Sequence, residues 1–129
     1  IFSVDEKESL VAFVGDADFG ELMLHWYKNQ ETEQFPTPPS NEAWGRLIVF
    51  SARVSTIFVY ERTKTPVKIE DRVFAAGSGR DFAIAAMHLG KSAKEAVEIA
   101  MIFDANCGNG VDILTHNSEL SGGALAPSK

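Results

Sequence analysis

An α+β fold is what the sequence predicts, and three features predict it. β-rich runs bounded by turn residues fill most of the chain before Gly77, one amphipathic helix interrupts them, and a pair of glycine-terminated helices follows. Strands gathered on one side of the sequence and helices on the other, without strict alternation, are the mark of that class.

Taken in order, Ile1 to Val4 reads as a strand, Asp5 to Glu8 as a turn, and Leu10 to Val14 as a second strand. Asp16 is the N-cap of a helix from Ala17 to Gln30 with an apolar face of Phe19, Leu22, Met23, Trp26 and Tyr27. That aromatic stripe reads as core, with contact to a neighbouring subunit as its alternative. His25 lies off the stripe, has no partner at metal-ligand spacing, and reads as a surface histidine. Glu31 to Ser40 contains three of the five prolines and can neither continue a helix nor join the middle of a sheet, so it is a loop. Arg46 to Ser51 and Thr56 to Tyr60 form a hairpin of apolar and β-branched residues. Val67 to Ile69 and Arg72 to Ala76 complete the sheet edge and lead into Ser78.

The stretch from Asp71 to Thr115 then predicts a strand, a Gly-Ser-Gly corner, two helices each closed by a glycine, and a short strand. Ser78 with Asp81 and Ser92 with Glu95 both have capping-box spacing, while Gly90 and Gly108 stand where a left-handed residue would end each helix. Phe82, Ala85, Ala86 and Leu89 make one core-facing stripe, and Ala93, Ala96, Val97 and Ala100 make the other. Continuing the second stripe reaches Asp104 and then Cys107. A carboxylate on a buried face at a helix C-terminus lacks solvation and faces the negative end of the dipole, so it needs specific donors. The alternative is an aspartate that rotates into solvent in the fraying last turn.

A length of 129 residues suits one domain with a sizeable core, and 45% hydrophobic with 23% charged residues reads as an ordinary soluble globular protein. The formal net charge is −6 and no basic stripe appears, which argues against nucleic acid or anionic lipid as a partner. No apolar run approaches membrane-spanning length and no secretory leader pattern opens the chain. A single cysteine leaves no intrachain disulfide and fits a reducing compartment, so a cytoplasmic location is expected. There is no zinc-type Cys/His spacing, and GSGRDF lacks the Gly-Lys-Ser/Thr ending of a phosphate-binding loop. Ser118 to Lys129 is rich in Ser, Gly, Ala and Pro and reads as a mobile tail, giving a domain over 1–117 and a tail over 118–129.

GSGRDFAIAAMHLGKSAKEAVEIAMIFDANCG resembles the second half of a proteasome β-type or HslV-type subunit, a member of the N-terminal-nucleophile hydrolase superfamily. The family's Gly-Ser-Gly corner matches Gly77, Ser78 and Gly79, and its Asp-x-x-Ser-Gly segment matches Asp104 to Gly108 with Cys107 in place of serine. Leu10 to Gly20 resembles the strand-to-helix turn ahead of the family's first helix, with Asp18 as anchor. The resemblance covers Ile1 to about Thr115. It implies a four-layer αββα sandwich. The family's second long helix is reduced here to about one turn around Asn41 to Trp44.

The implied chemistry is attack by an N-terminal threonine hydroxyl on a peptide carbonyl, with its own α-amine or a relayed water as base and backbone N–H groups holding the oxyanion. By the resemblance, Ser78 hydrogen-bonds near that terminus, Asp104 orients it, and Cys107 replaces the usual serine. Gly15 lies in the oxyanion turn. Val14 stands where a first glycine is usual, keeping the N–H and adding a side chain beside the substrate strand. Ser78 reads equally well as a plain helix cap, and Cys107 as a packing residue. The threonine and the lysine that tunes it precede the segment matching Ile1, so the 129 residues alone are expected to be inactive. No cofactor and no metal are implied. The implied partners are a peptide or unfolded-protein substrate, further copies of the chain, and an ATPase unfoldase. A non-catalytic structural subunit and an amidohydrolase acting on another amide remain the alternatives.

Overall fold

The computed structural model describes residues 2–4, 7–29, 34–105, 114–115 and 124–125. Its centre is a five-stranded antiparallel sheet in the order β1 (Phe2–Val4), β2 (Ser9–Gly15), β3 (Gly45–Ser51), β4 (Thr56–Tyr60), β5 (Val67–Ile69). Helix α1 (Ala17–Lys28) connects β2 to β3, and helices α2 (Arg80–His88) and α3 (Ala93–Phe103) follow the sheet. Strands β6 (Leu114–Thr115) and β7 (Ala124–Leu125) pair with each other, so the last of these lies inside the segment expected to be a tail.

Pairing register decides which residues face α1. Val11 opposes Val49, which opposes Phe58; Phe13 opposes Leu47, which opposes Tyr60. With Val4 these residues meet Phe19, Met23, Leu24, Trp26 and Tyr27 of α1 in the largest apolar cluster. Fully burying a side chain the size of Phe19 or Met23 contributes about 1.5–3 kcal/mol. Trp26 sits edge-on to both Phe35 and Tyr60, which brings the proline-rich loop onto the same core. The opposite face of the sheet is apolar too, with Leu10, Phe50 and Ala52 buried together and Ile57 packed on them.

Helix α1 begins as its sequence predicts, with the Asp16 carboxylate accepting from the Phe19 N–H at 2.8 Å. It stops at Lys28, two residues before the expected Gln30, because the Asn29 side chain donates to the His25 carbonyl and its N–H to that of Trp26. Leu22 of the expected stripe is 45% exposed, and Leu24 is buried in its stead. His25 is exposed, as expected.

Buried polar chemistry is concentrated where α1 crosses β2. The Ser9 hydroxyl donates to the Lys7 carbonyl at 3.0 Å, so its single proton is spent, and the 2.8 Å contact with Tyr27 must be the tyrosine donating to Ser9 Oγ. Burial raises the pKa of Tyr27 above 10.0, against the smaller opposing pulls of the Ser9 hydroxyl, which on ionisation turns to donate to the phenolate, and of Arg53. Burial likewise raises Tyr60, helped by the neighbouring Tyr27. Both groups hold their protons more tightly folded than unfolded. Their contribution to stability is therefore complete below pH of about 10 and is lost as pH rises through the folded values. Tyr27→Phe is expected to cost about 1–2 kcal/mol at neutral pH by leaving Ser9 Oγ without its donor, and to flatten the alkaline loss. Urea unfolding at pH 7 and pH 11 measures both effects; an unchanged midpoint at pH 7 would contradict the hydrogen-bond assignment.

The α2–α3 hairpin packs through alanines. Ala83, Ala86 and Ala96 are buried against one another, with Ala75, Met87 and Ile99 around them. The α3 stripe is as expected, with Ala96 and Ala100 buried, and Ser92 forms the full capping box with Glu95. That bonding, from the Ser92 backbone first and its hydroxyl second, holds the Glu95 pKa below its ordinary value. Gly90 closes α2 at φ +93°, as its position predicts.

Four expectations are corrected. The described residues form one five-stranded sheet with three helices and a two-residue ladder, not a four-layer αββα sandwich, because they contain no second broad sheet to stack on the first. Arg72 to Ala76 is not a strand: the chain leaves the sheet after β5, and Ala75 packs on the helical hairpin instead. The α2 stripe is turned by about one residue from the predicted one, since close Ala83–Ala96 packing leaves Phe82 43% and Leu89 84% exposed. Ser78 does not cap α2; Gly79 is the N-cap and no side-chain hydrogen bond closes the turn. Gly108 lies outside the described residues, as do His116, Asn117 and most of 118–129.

Candidate functional site

Strand β2 ends at Gly15, and the chain must turn at once into the capped start of α1. Gly15 makes that turn at φ +97°, after which the Asp16 N–H donates to the Trp44 carbonyl at 2.6 Å. This bond brings the residue before β3 over the end of β2, continuing the ladder in which Val14 opposes Arg46 and Gly15 opposes Gly45. A Cβ on Gly15 would lie 2.3 Å from the Trp44 carbonyl oxygen and 2.6 Å from its ring. Glycine is thus required both by the dihedral and by the close approach.

Facing this turn is the corner that starts α2. Gly77 has φ +106°, and its carbonyl accepts from the Arg80 N–H at 3.2 Å. Between the two glycine turns lies a cleft of about 600 Å³. One wall is Phe13, Val14, Gly15, Trp44 and Arg46; the other is Ala76, Gly77, Ser78 and Arg80. Arg46 has its guanidinium carbon 5.4 Å from the centre of the Trp44 ring and reaches Glu61 through Nε at 3.4 Å.

Three of the five residues expected at a site therefore meet in one cleft: Val14, Gly15 and Ser78, the last of them exposed. Asp104 is the C-cap of α3, partly buried, with its N–H donating to the Ala100 carbonyl at 2.8 Å; it does not line the cleft. It does lie at the same end of the hairpin as Ser78, because Phe103 at the end of α3 stacks on Phe82 at the start of α2 with ring centres 5.6 Å apart. Cys107 lies outside the described residues.

Sequence reasoning missed Trp44, Arg46 and Arg80. Arg46 is the one charged residue in the run GRLIVFS, a signal that something polar stands at the start of that strand. Which wall it joins depends on the register of β2 against β3, whose partners are far apart in sequence.

Among the described residues no group of three or more His, Cys, Asp or Glu side chains could hold a metal ion, and no helix is long and apolar enough to cross a membrane. The cleft has the parts to bind an extended chain: two glycine turns that let backbone approach closely, an aromatic side wall and guanidinium donors. No protein-family model matches the chain, and no curated protein matches it.

Proposed function

We propose that this cleft is the substrate-binding part of a peptide-hydrolysing site of the N-terminal-nucleophile type, in a proteasome-like subunit engaged in protein degradation. One observation carries the reading: Val14 and Gly15 at the end of β2 and Ser78 at the start of α2, chosen as oxyanion-turn and terminus-binding residues, line one cleft although 62 residues separate Val14 from the Gly77 beside them. The proposal concerns the site and not the number of layers, since function resides in the arrangement of groups.

In this reading a peptide lies along the end of β2, the Gly15 N–H is the donor to the developing oxyanion, the Asp16 N–H being engaged with Trp44, and Ser78 holds the amine end of the nucleophile. The nucleophile is a threonine hydroxyl supplied from outside residues 1–129, with its own α-amine as base. Asp104, at the same end of the helical hairpin, orients it. Assembly with further copies, work alongside an ATPase unfoldase and a cytoplasmic location belong to the same proposal. Phe82, Ile102 and Phe103 are exposed on the helical hairpin and offer apolar area for a second copy.

Peptide turnover tests the reading. The 129-residue chain alone is expected to release no fluorophore from a panel of peptide substrates. The same chain with a threonine-led strand pair ending in lysine joined ahead of Ile1 is expected to turn over, and to lose that activity on replacing the threonine by alanine. Turnover by the 129 residues alone, absent from a mock preparation and indifferent to the added threonine, would overturn it.

A further inference from the structure

We propose that Arg46 and Arg80 make the cleft selective for a carboxylate carried by the bound peptide. The inference rests on the peptide-binding reading above and adds the substrate class.

Among the described residues lining the cleft, these two arginines are the ionisable groups, and no carboxylate lines it with them. They come from different elements, Arg46 from the start of β3 and Arg80 from the start of α2, and line the same cleft from its two walls. The rest of the lining is apolar or small: Phe13, Val14, Trp44 and Ala76 are poor solvators of charge, which strengthens a guanidinium–carboxylate pair formed among them.

Both arginines have partners, but neither partner occupies the cleft. Arg46 meets Glu61 through Nε at 3.4 Å, with the two side chains 39% and 46% exposed. Arg80 meets its neighbour Asp81 through Nη1 at 2.9 Å, with Asp81 90% exposed. Solvated pairs of this kind contribute little, and a guanidinium has five N–H donors, so each arginine keeps donors for a ligand. The Asp16 carboxylate, next to Gly15, is engaged in capping α1. Arg46 also lies over the Trp44 ring, its guanidinium carbon 5.4 Å from the ring centre, a cation–π contact that leaves its N–H donors available.

The chain as a whole carries a formal charge of −6, with 18 acidic against 12 basic residues. An acidic peptide is repelled by most of this surface, so two arginines in one cleft single out that place for it. The carboxylate could be that of a Glu or Asp side chain or the free C-terminus of the peptide; both present the same two oxygens.

The test is isothermal titration of the 129-residue chain at low ionic strength with three peptides of equal length. One is acetylated and amidated with a central Glu, the second is its Gln counterpart, and the third is the Gln peptide with a free C-terminal carboxylate. The first or the third is expected to bind at least about tenfold tighter than the second, the equivalent of one charge-assisted hydrogen bond. Tighter binding of the first assigns the side-chain carboxylate, and of the third the terminal one. Arg46→Gln with Arg80→Gln is expected to abolish the preference while leaving the residual affinity for the Gln peptide. Arg80→Gln alone, at an exposed helix start, is expected to reduce it and serves if the double variant does not fold. Equal affinity for all three peptides, or a preference that survives in folded variants, would overturn the carboxylate assignment and leave the peptide cleft standing. No binding by any peptide would overturn both.

Discussion

Asp104→Asn is expected to leave the fold intact and to cut peptide turnover by about 10²–10⁴-fold in the chain carrying a threonine-led segment ahead of Ile1, the range for losing a positioned acid–base partner. The residue caps α3 with an extended backbone, and its N–H keeps its bond to the Ala100 carbonyl whatever the side chain is. Asparagine matches aspartate in shape and removes the charge. A carboxylate at the negative end of a helix dipole is disfavoured by that dipole, and the neutral amide relieves the repulsion. What changes is the field at the end of the hairpin where Ser78 stands, the end fixed by the Phe82–Phe103 stack. If the aspartate instead served only as a solvated helix end, stability would stay within about ±0.5 kcal/mol and the rate would not change. Turnover and the urea midpoint measured on one preparation separate the two, and wild-type turnover would contradict the catalytic role.

Gly15→Ala is expected to lower the unfolding free energy by about 2–5 kcal/mol, against a total of about 5–15 kcal/mol for a domain of this kind. Two costs combine. A left-handed backbone at φ +97° is unfavourable for any residue with a Cβ by about 1–2 kcal/mol. The new methyl would also lie 2.3 Å from the Trp44 carbonyl oxygen and 2.8 Å from the Gly45 Cα, and overpacking against groups that cannot rotate away adds about 1–3 kcal/mol. Relief requires moving β3 away from β2, which breaks the Asp16–Trp44 bond and opens one wall of the cleft. Urea titration followed by circular dichroism measures the loss. A shift below about 0.5 kcal/mol would show that the turn at Gly15 is not held as described.

How far the sequence could be read depended on whether the deciding interaction was local. The strands at Arg46 to Ser51 and Thr56 to Tyr60 were legible almost to the residue, because β-branched runs bounded by turn residues carry their own signal. The Asp16 cap and the Ser92–Glu95 box were legible for the same reason: each joins groups three residues apart. Ser78 looked equally like a cap, but Gly77 at φ +106° turns the chain so that the helix opens one residue later, at Gly79. A capping box spells out spacing and says nothing of the preceding dihedral. The face of α2 was misjudged because period alone points to Phe82 and Leu89, whereas the closest packing available to an alanine-rich pair is Ala83 and Ala86 on Ala96.

The layer count failed for a different reason. It followed from the resemblance and from no pattern in these residues, and the described chain has one broad sheet. The site divides along the same line. Val14, Gly15 and Ser78 could be chosen from short motifs, and the fold brings them to one cleft. Trp44 and Arg46 could not, since their place depends on a register between strands separated by a helix and a proline-rich loop; Arg80 comes to the cleft with Ser78, two residues before it on the same corner.

The most direct measurement of the central claim is an amide chemical-shift titration of the 129-residue chain with a blocked extended peptide. The cleft account predicts concentration-dependent shifts at Val14, Gly15, Arg46, Gly77 and Ser78, with the far ends of the helices near Lys28 and His88 unmoved. Shifts confined to any other surface, or none at saturating peptide, would contradict it.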